Sequence, residues 1–217
     1  MGAPQPPATD DEVERCTTAL LGKQGRFRPT VRLLERDGCR WVAKDYRPSW
    51  ALYRLTVGAW SLRRELEALR RVADVGGVPH VEARPSRWVV VLTHFPGRDV
   101  GKTEKARQTP AFFEDLRRIV DALHARGVVH LDLRQRRNVL VQPDGRAAVI
   151  DFGASLCVRP GGALLRLLAR VDDSGVLKYK RRADPGSLSD DERERLARAE
   201  RRRRFWPFGR PRARRTP

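Results

Sequence analysis

At 217 residues the chain is long enough for one ordinary domain, or for two small lobes sharing a cleft, and a second independent domain is not expected. Its 45 Lys and Arg against 27 Asp and Glu give a formal net charge of +18, which predicts attraction to polyanions but names no activity. Cys16, Cys39 and Cys157 are odd in number and widely spaced, which argues against a disulfide framework or a zinc site, and no apolar run approaches the ~20 residues of a spanning helix. The start has no basic segment followed by an apolar core, and Pro6 stands where an N-myristoylation motif takes Ser or Thr. The expectation is a cytoplasmic protein, soluble or peripheral on the inner membrane face.

In chain order, residues 1–19 read as a flexible lead, rich in Pro and Ala at its beginning. From Phe27, "FRPTVRLLER" and "CRWVAKDY" read as two strands joined by a tight Asp37-Gly38 turn. "AWSLRRELEALRRVADV" carries Leu62, Leu66, Leu69 and Val72 at the spacing of an amphipathic helix that stops at Gly76-Gly77. "SRWVVVLTHFPG" reads as a buried strand broken by Pro96-Gly97, and "PAFFEDLRRIVDALHARG" as a helix opened by Pro110 and closed by Gly127. Short strands follow around "VVH" and "NVLVQPDGRAAVIDFG", with Pro143-Asp144-Gly145 as a turn. "GGALLRLLARVDDSGVLKYKRR" is helical in at least its first half, and "SLSDDERERLARAERRRR" is a charged helix capped by Ser189. The tail "FWPFGRPRARRTP" is expected to be unstructured when free.

The stretch Gly127 to Ser155 places His130-Leu131-Asp132, Asn138 and Asp151-Phe152-Gly153 in succession. Phosphoryl transfer needs cations against nucleotide phosphates, a carboxylate to orient or deprotonate the acceptor hydroxyl, and oxygen ligands for magnesium. The chain offers Lys44 at the end of a predicted strand, Glu65 on the following helix to hold it, Asp132 as the base, and Asn138 with Asp151 as metal ligands.

This ordered set, from Gly22 to Ser155, resembles the protein-kinase-like superfamily, specifically its compact bacterial members akin to lipopolysaccharide kinases and RIO-type atypical kinases. The resemblance implies an α+β, two-lobed minimal fold: a small β-rich N-lobe over residues 20–97, a reduced helical C-lobe over 98–190, and a basic helix and tail over 191–217. It implies ATP and magnesium as cofactors, with adenine meeting the hinge backbone near Thr93, His94 and Phe95. Three departures stand out. The glycine-rich loop is reduced to Gly22 and Gly25 in "LGKQGR", Leu131 replaces the motif's Arg, and Asn138 lies six residues beyond Asp132 where the motif has five. The added residue is expected in "DLRQRRN", carrying Arg134, Arg136 and Arg137 toward the acceptor side.

Simpler readings stand beside these. Glu67 rivals Glu65 for the lysine, His130 supports the loop by hydrogen bonding rather than moving a proton, and Cys157 is a small buried hydrophobe or a reactive thiol. His80, His94 and His124 receive no chemistry. With no Ala-Pro-Glu segment and few residues after Asp151, the acceptor is expected to be a hydroxyl on a sugar or glycolipid rather than a protein. A nucleotide-binding pseudokinase and an RNA- or ribosome-associated RIO-like factor are the alternatives. Phe205, Trp206 and Phe208 among arginines suggest an anionic membrane surface as a partner of the tail, with RNA the second candidate.

Overall fold

The computed structural model describes residues 4–204. Five strands, β1 (Thr17–Leu21), β2 (Thr30–Arg36), β3 (Cys39–Asp45), β4 (Val81–Ser86) and β5 (Val89–Thr93), form an antiparallel sheet ordered β1-β2-β3-β5-β4. The β2–β3 turn is the expected one. Asp37 and Gly38 take φ of 50° and 77°, the left-handed pair that suits a two-residue hairpin, and Arg36 faces Cys39 across it. Strand β4 was not foreseen, because Pro85 argues against a strand interior; the structure puts it on the sheet edge, where a missing N–H costs little.

The lead is the clearest correction. Asp10–Arg15 form a helix, α1, and β1 follows at once, so residues 10–19 are ordered rather than flexible. Thr9 caps α1 in a reciprocal box with Glu12, Glu12 also meets Arg36 at 3.0 Å, and Val13 is fully buried against Leu34, Trp41 and Val91. Alternation along β3 explains the placement. Trp41 and Ala43 face α1, while Lys44 points to the opposite face of the sheet.

That opposite face is covered by α3 (Ala59–Arg71), preceded by a single short turn, α2 (Ala51–Tyr53), and a π-helical turn over Arg54–Gly58. The chain then leaves β5 through residues 94–97 and enters the second lobe at β6 (Arg98–Asp99). Helix α4 (Pro110–Ala125) starts on Thr109, whose hydroxyl accepts from Phe112 N at 3.2 Å. Short strands β7 (Val128–Val129), β8 (Val139–Val141), β9 (Ala147–Val149) and β10 (Leu156–Cys157) pair as β6-β8-β9 and β10-β7. Helix α5 (Ala163–Ala183) is continuous through the whole predicted segment, and α6 is Asp190–Arg204.

The largest apolar core among the described residues runs through both lobes, from Leu62, Leu69 and Val90 to Phe112, Ile119, Phe152 and Tyr179. Helix α6 is docked rather than separate: Leu177, Leu188 and Leu196 form a small core, and Lys180–Glu192 and Arg181–Glu200 bridges tie α6 to α5. The division expected at 190/191 therefore falls inside one packed unit. Ser189 accepts from Glu192 N while Glu192 receives Ser189 N, the predicted cap. The aromatic-arginine tail from residue 205 lies outside the described residues.

Candidate active site

Lys44 sits on the central strand β3 and is nearly buried. Its Nζ lies 2.6 Å from Glu65 Oε1 and 2.7 Å from Asp151 Oδ1. Burial works against the ammonium charge, but the fields of Glu65 and then Asp151 outweigh it and raise the Lys44 pKa above the ordinary lysine value. Lys44 in turn is the main reason that Asp151 falls to a pKa of about 2, against the opposing effect of burial. Glu65 is thus the lysine's partner, and its Oε1 also receives Phe152 N at 3.2 Å. Glu67, two residues on, faces outward and pairs with Arg70 and Arg71.

Asp151 adopts a left-handed backbone, φ 67°, that turns its carboxylate toward Lys44 while Phe152 drops into the core. Helix α3 fixes this turn. Ser61 Oγ donates to Gly153 O at 3.1 Å, and Arg64 donates to Ser155 O at 2.7 Å and Ala154 O at 2.9 Å. Neither Ser61 nor Arg64 was foreseen.

On the other side, Asn138 Nδ2 donates to Asp132 Oδ2 at 3.0 Å and to Asp132 O at 3.1 Å. The added residue is absorbed by a tight turn over Arg136–Asn138, so the amide still reaches the carboxylate. Burial, followed by the charge of Asp151, raises the Asp132 pKa, opposed by the Asn138 hydrogen bond and the charges of His130 and Arg137. The arginines of this loop diverge. Arg137 lies close enough to help lower the pKa of both Asp132 and Asp151, and Arg136 covers Gly101. Arg134 departs from expectation: it turns back to α5, donating to Ser174 Oγ at 2.8 Å, because α5 packs directly beneath the loop. The close approach requires Gly175, where a Cβ would stand 3.0 Å from Leu133 C.

The residue most important to this loop and absent from the sequence reading is Asp172 on α5. Fully buried, it accepts from His130 N and Leu131 N, each at 2.8 Å, and meets His124 Nε2 at 3.0 Å. It holds Leu131 at φ 64°, a conformation unfavourable for a branched side chain, and so directs Asp132 into the cleft. A signal was present: Asp172 shares the buried face of α5 with Leu165, Val176 and Tyr179, a position where an acid needs a reason. His130 acts as support, as expected, its Nε2 3.1 Å from Ile150 O and its ring edge-on to Phe152.

Thr93, His94 and Phe95 lie at the end of β5 and the start of the crossing between lobes. Thr93 Oγ1 donates to Glu82 Oε1 at 2.9 Å, and burial, with the Arg40 charge, lowers the His94 pKa. Gly22, at φ 71°, and Gly25 lie in the segment joining β1 to β2. Cys157 is half-buried and burial raises its pKa, which disfavours a reactive thiolate.

The donor set fits a nucleotide-borne magnesium ion. Among the described residues no three His, Cys, Asp or Glu side chains gather to hold a metal by themselves. Magnesium, however, takes only one or two protein oxygens and fills the rest with phosphates and water. Asp151 supplies a carboxylate, and with its nitrogen on Asp132, Asn138 has its carbonyl oxygen left to offer.

No protein-family model matches the chain. Among curated proteins, it is 35% identical over 99 residues to CBL-interacting protein kinase 16 of Oryza sativa subsp. japonica, covering 42% of this chain and 22% of that protein. It is 34% identical over 101 residues to CBL-interacting serine/threonine-protein kinase 15 of Arabidopsis thaliana, covering 43% and 24%. The matches thus span less than a quarter of those relatives' own lengths. Among solved structures, WaaP in complex with acyl carrier protein aligns with a TM-score of 0.57 at 19% identity, over 88% of this chain and 81% of that one. The Rio2 kinase of Chaetomium thermophilum, in its ADP/Mg2+-phosphoaspartate complex, aligns with a TM-score of 0.57 at 13% identity, over 88% and 73%. The chain has a two-lobed α+β fold of the protein-kinase-like type.

Proposed function

We propose that the chain is an ATP- and magnesium-dependent phosphotransferase whose acceptor is a hydroxyl, on a sugar or glycolipid rather than on a protein. The observation that carries this reading is the pairing of two sets of groups across one cleft: Lys44 held by Glu65 and Asp151, facing Asp132 held by Asn138. ATP with magnesium would supply the transferable phosphoryl group and spread its charge. Lys44 would neutralise phosphate oxygens, and Asp151 with Asn138 would hold the cation. Asp132 would take the acceptor's proton as that oxygen receives the phosphoryl group and ADP departs. The raised pKa of Asp132 brings it nearer to that task than an exposed aspartate.

The preference for a small or lipid-linked acceptor rests on the short run from Asp151 to α5, which holds only a tight turn, β10 and Pro160 and has little length to seat a peptide. The pseudokinase alternative rests on the loop that keeps only Gly22 and Gly25. The test is Mg-ATP turnover against panels of sugars, glycolipids and proteins, with products identified by mass spectrometry and Asp132→Asn as the control. Asp132-dependent phosphorylation of a glycan or glycolipid supports the proposal. Tight nucleotide binding with no transfer to any panel, or transfer indifferent to Asp132→Asn, sinks it.

A further inference from the structure

Trp50, Leu52, Leu55, Val57 and Trp60 fall within eleven successive residues, and each is at least half exposed. A protein of this size rarely leaves so many large apolar side chains together in water without a use for them. They run from the residue before α2 through the π-helical turn to the start of α3, and two of them, Leu55 and Trp60, line a groove of about 890 Å³ on the outer side of α3. This is the side of the helix away from Glu65, so the face is distinct from the cleft.

The uncompensated charge around it is positive. From Tyr46 to Arg64 the sequence contains no acidic residue. Arg63 and Arg84 line both this groove and a smaller adjoining one of about 220 Å³, to which Arg87 is added. Arg63, Arg84 and Arg87 make no ion pair among the described residues, whereas Glu67, the acid of the groove, is engaged by Arg70 and Arg71. Exposed tryptophan and leucine beside unneutralised guanidinium groups is the composition of a surface that enters the lipid headgroup layer: rings and alkyl chains reach the acyl boundary while arginines meet phosphates. No helix among the described residues is long and apolar enough to cross a membrane, and this face would lie on one.

We propose that α2, the π-helical turn and the outer side of α3 form a docking face for an anionic membrane surface. An acidic helix of a protein partner would fill the groove but would leave Trp50, Leu52 and Val57, which lie outside its lining, in water. An anionic bilayer offers phosphates to the unpaired arginines and an acyl boundary to exposed rings and alkyl chains that the groove itself does not hold. The inference stands independently of phosphoryl transfer.

The test is sedimentation of the full chain with vesicles of phosphatidylcholine alone and of phosphatidylcholine mixed with phosphatidylglycerol. Binding is expected to the anionic vesicles only, and Leu52→Asp/Leu55→Asp and Arg63→Glu/Arg84→Glu each lower the partition about tenfold. All four side chains are exposed, so both variants keep the wild-type melting temperature and nucleotide affinity. A chain truncated after Glu200 keeps most of its binding, because the face lies far earlier in the sequence. The proposal is overturned if either double variant sediments like wild type, if neutral vesicles bind as well as anionic ones, or if no vesicle binds. Loss on truncation alone would overturn it in favour of the tail. A dimer dissociated by Leu52→Asp/Leu55→Asp in the absence of vesicle binding would overturn it in favour of a second copy of the chain.

Discussion

Lys44 Nζ and Asp151 Oδ1 are 2.7 Å apart although 107 residues separate them, and this ion pair closes the cleft between strand β3 and the turn before β10. With Glu65 on its other side, the ammonium group is positioned before any ligand arrives. Lys44→Ala leaves two carboxylates facing each other, and Asp151→Ala removes the carboxylate proposed to hold the cation. Each is expected to weaken Mg-ATP binding about tenfold or more, read by calorimetry. Unchanged affinity in both would remove the nucleotide from this cleft.

The same pair sets a pH dependence. Asp151 is depressed from 3.8 to about 2, so its contribution to stability is fully present above its unfolded value and is lost as pH falls through about 2. Melting temperature measured from neutral pH downward should therefore fall in the window between about 4 and 2. Asp151→Asn should flatten that part of the curve. A variant curve parallel to wild type there would show that the pair does not form in solution.

Asp132 has the opposite sign. Its pKa is raised, so its ionisation costs stability as pH rises through the folded value. Asp132→Asn is expected to melt above wild type at neutral pH while losing transfer by about a hundredfold or more and keeping nucleotide affinity. The acid limb of kcat/KM should lie above the ordinary aspartate value of about 4. An Asn variant that keeps the wild-type rate would deprive Asp132 of the role of base.

Asn138→Ala removes both the hydrogen bond that aims Asp132 and the second oxygen proposed for the cation. The magnesium concentration for half-maximal activity should rise severalfold, while nucleotide affinity measured without magnesium should hold. An unaltered magnesium requirement would mean that the residue added between Asp132 and Asn138 has taken the amide away from the metal.

Asp172→Ala strands the buried N–H groups of His130 and Leu131 and should cost about 2–4 kcal/mol in denaturant titration. Adding Leu131→Gly to that variant should restore about 1 kcal/mol, since glycine takes φ 64° without a Cβ clash. A gain of stability in the double variant distinguishes backbone restraint from simple loss of a buried charge. No gain would mean that Leu131 is not strained.

Local and ordered features are the ones legible in the sequence. The Asp37-Gly38 hairpin, the α3 stripe from Leu62 to Val72, the α4 start at Pro110 and the Ser189 cap follow from turn chemistry and periodicity, which act over a few residues. The succession from Lys44 to Asp151 was legible because the kinase-like motif constrains its order. Choosing Glu65 over Glu67 required knowing which side of α3 turns inward, and only packing against β3 and Phe152 decides that. Helix α1 is six residues long, too short to hold as a helix alone or to show a period; burial of Val13 beneath the sheet makes it. Asp172, Ser61 and Arg64 act across 41 to 92 positions. Sequence spacing carries no information at that range, because only the folded chain brings their partners within hydrogen-bond reach.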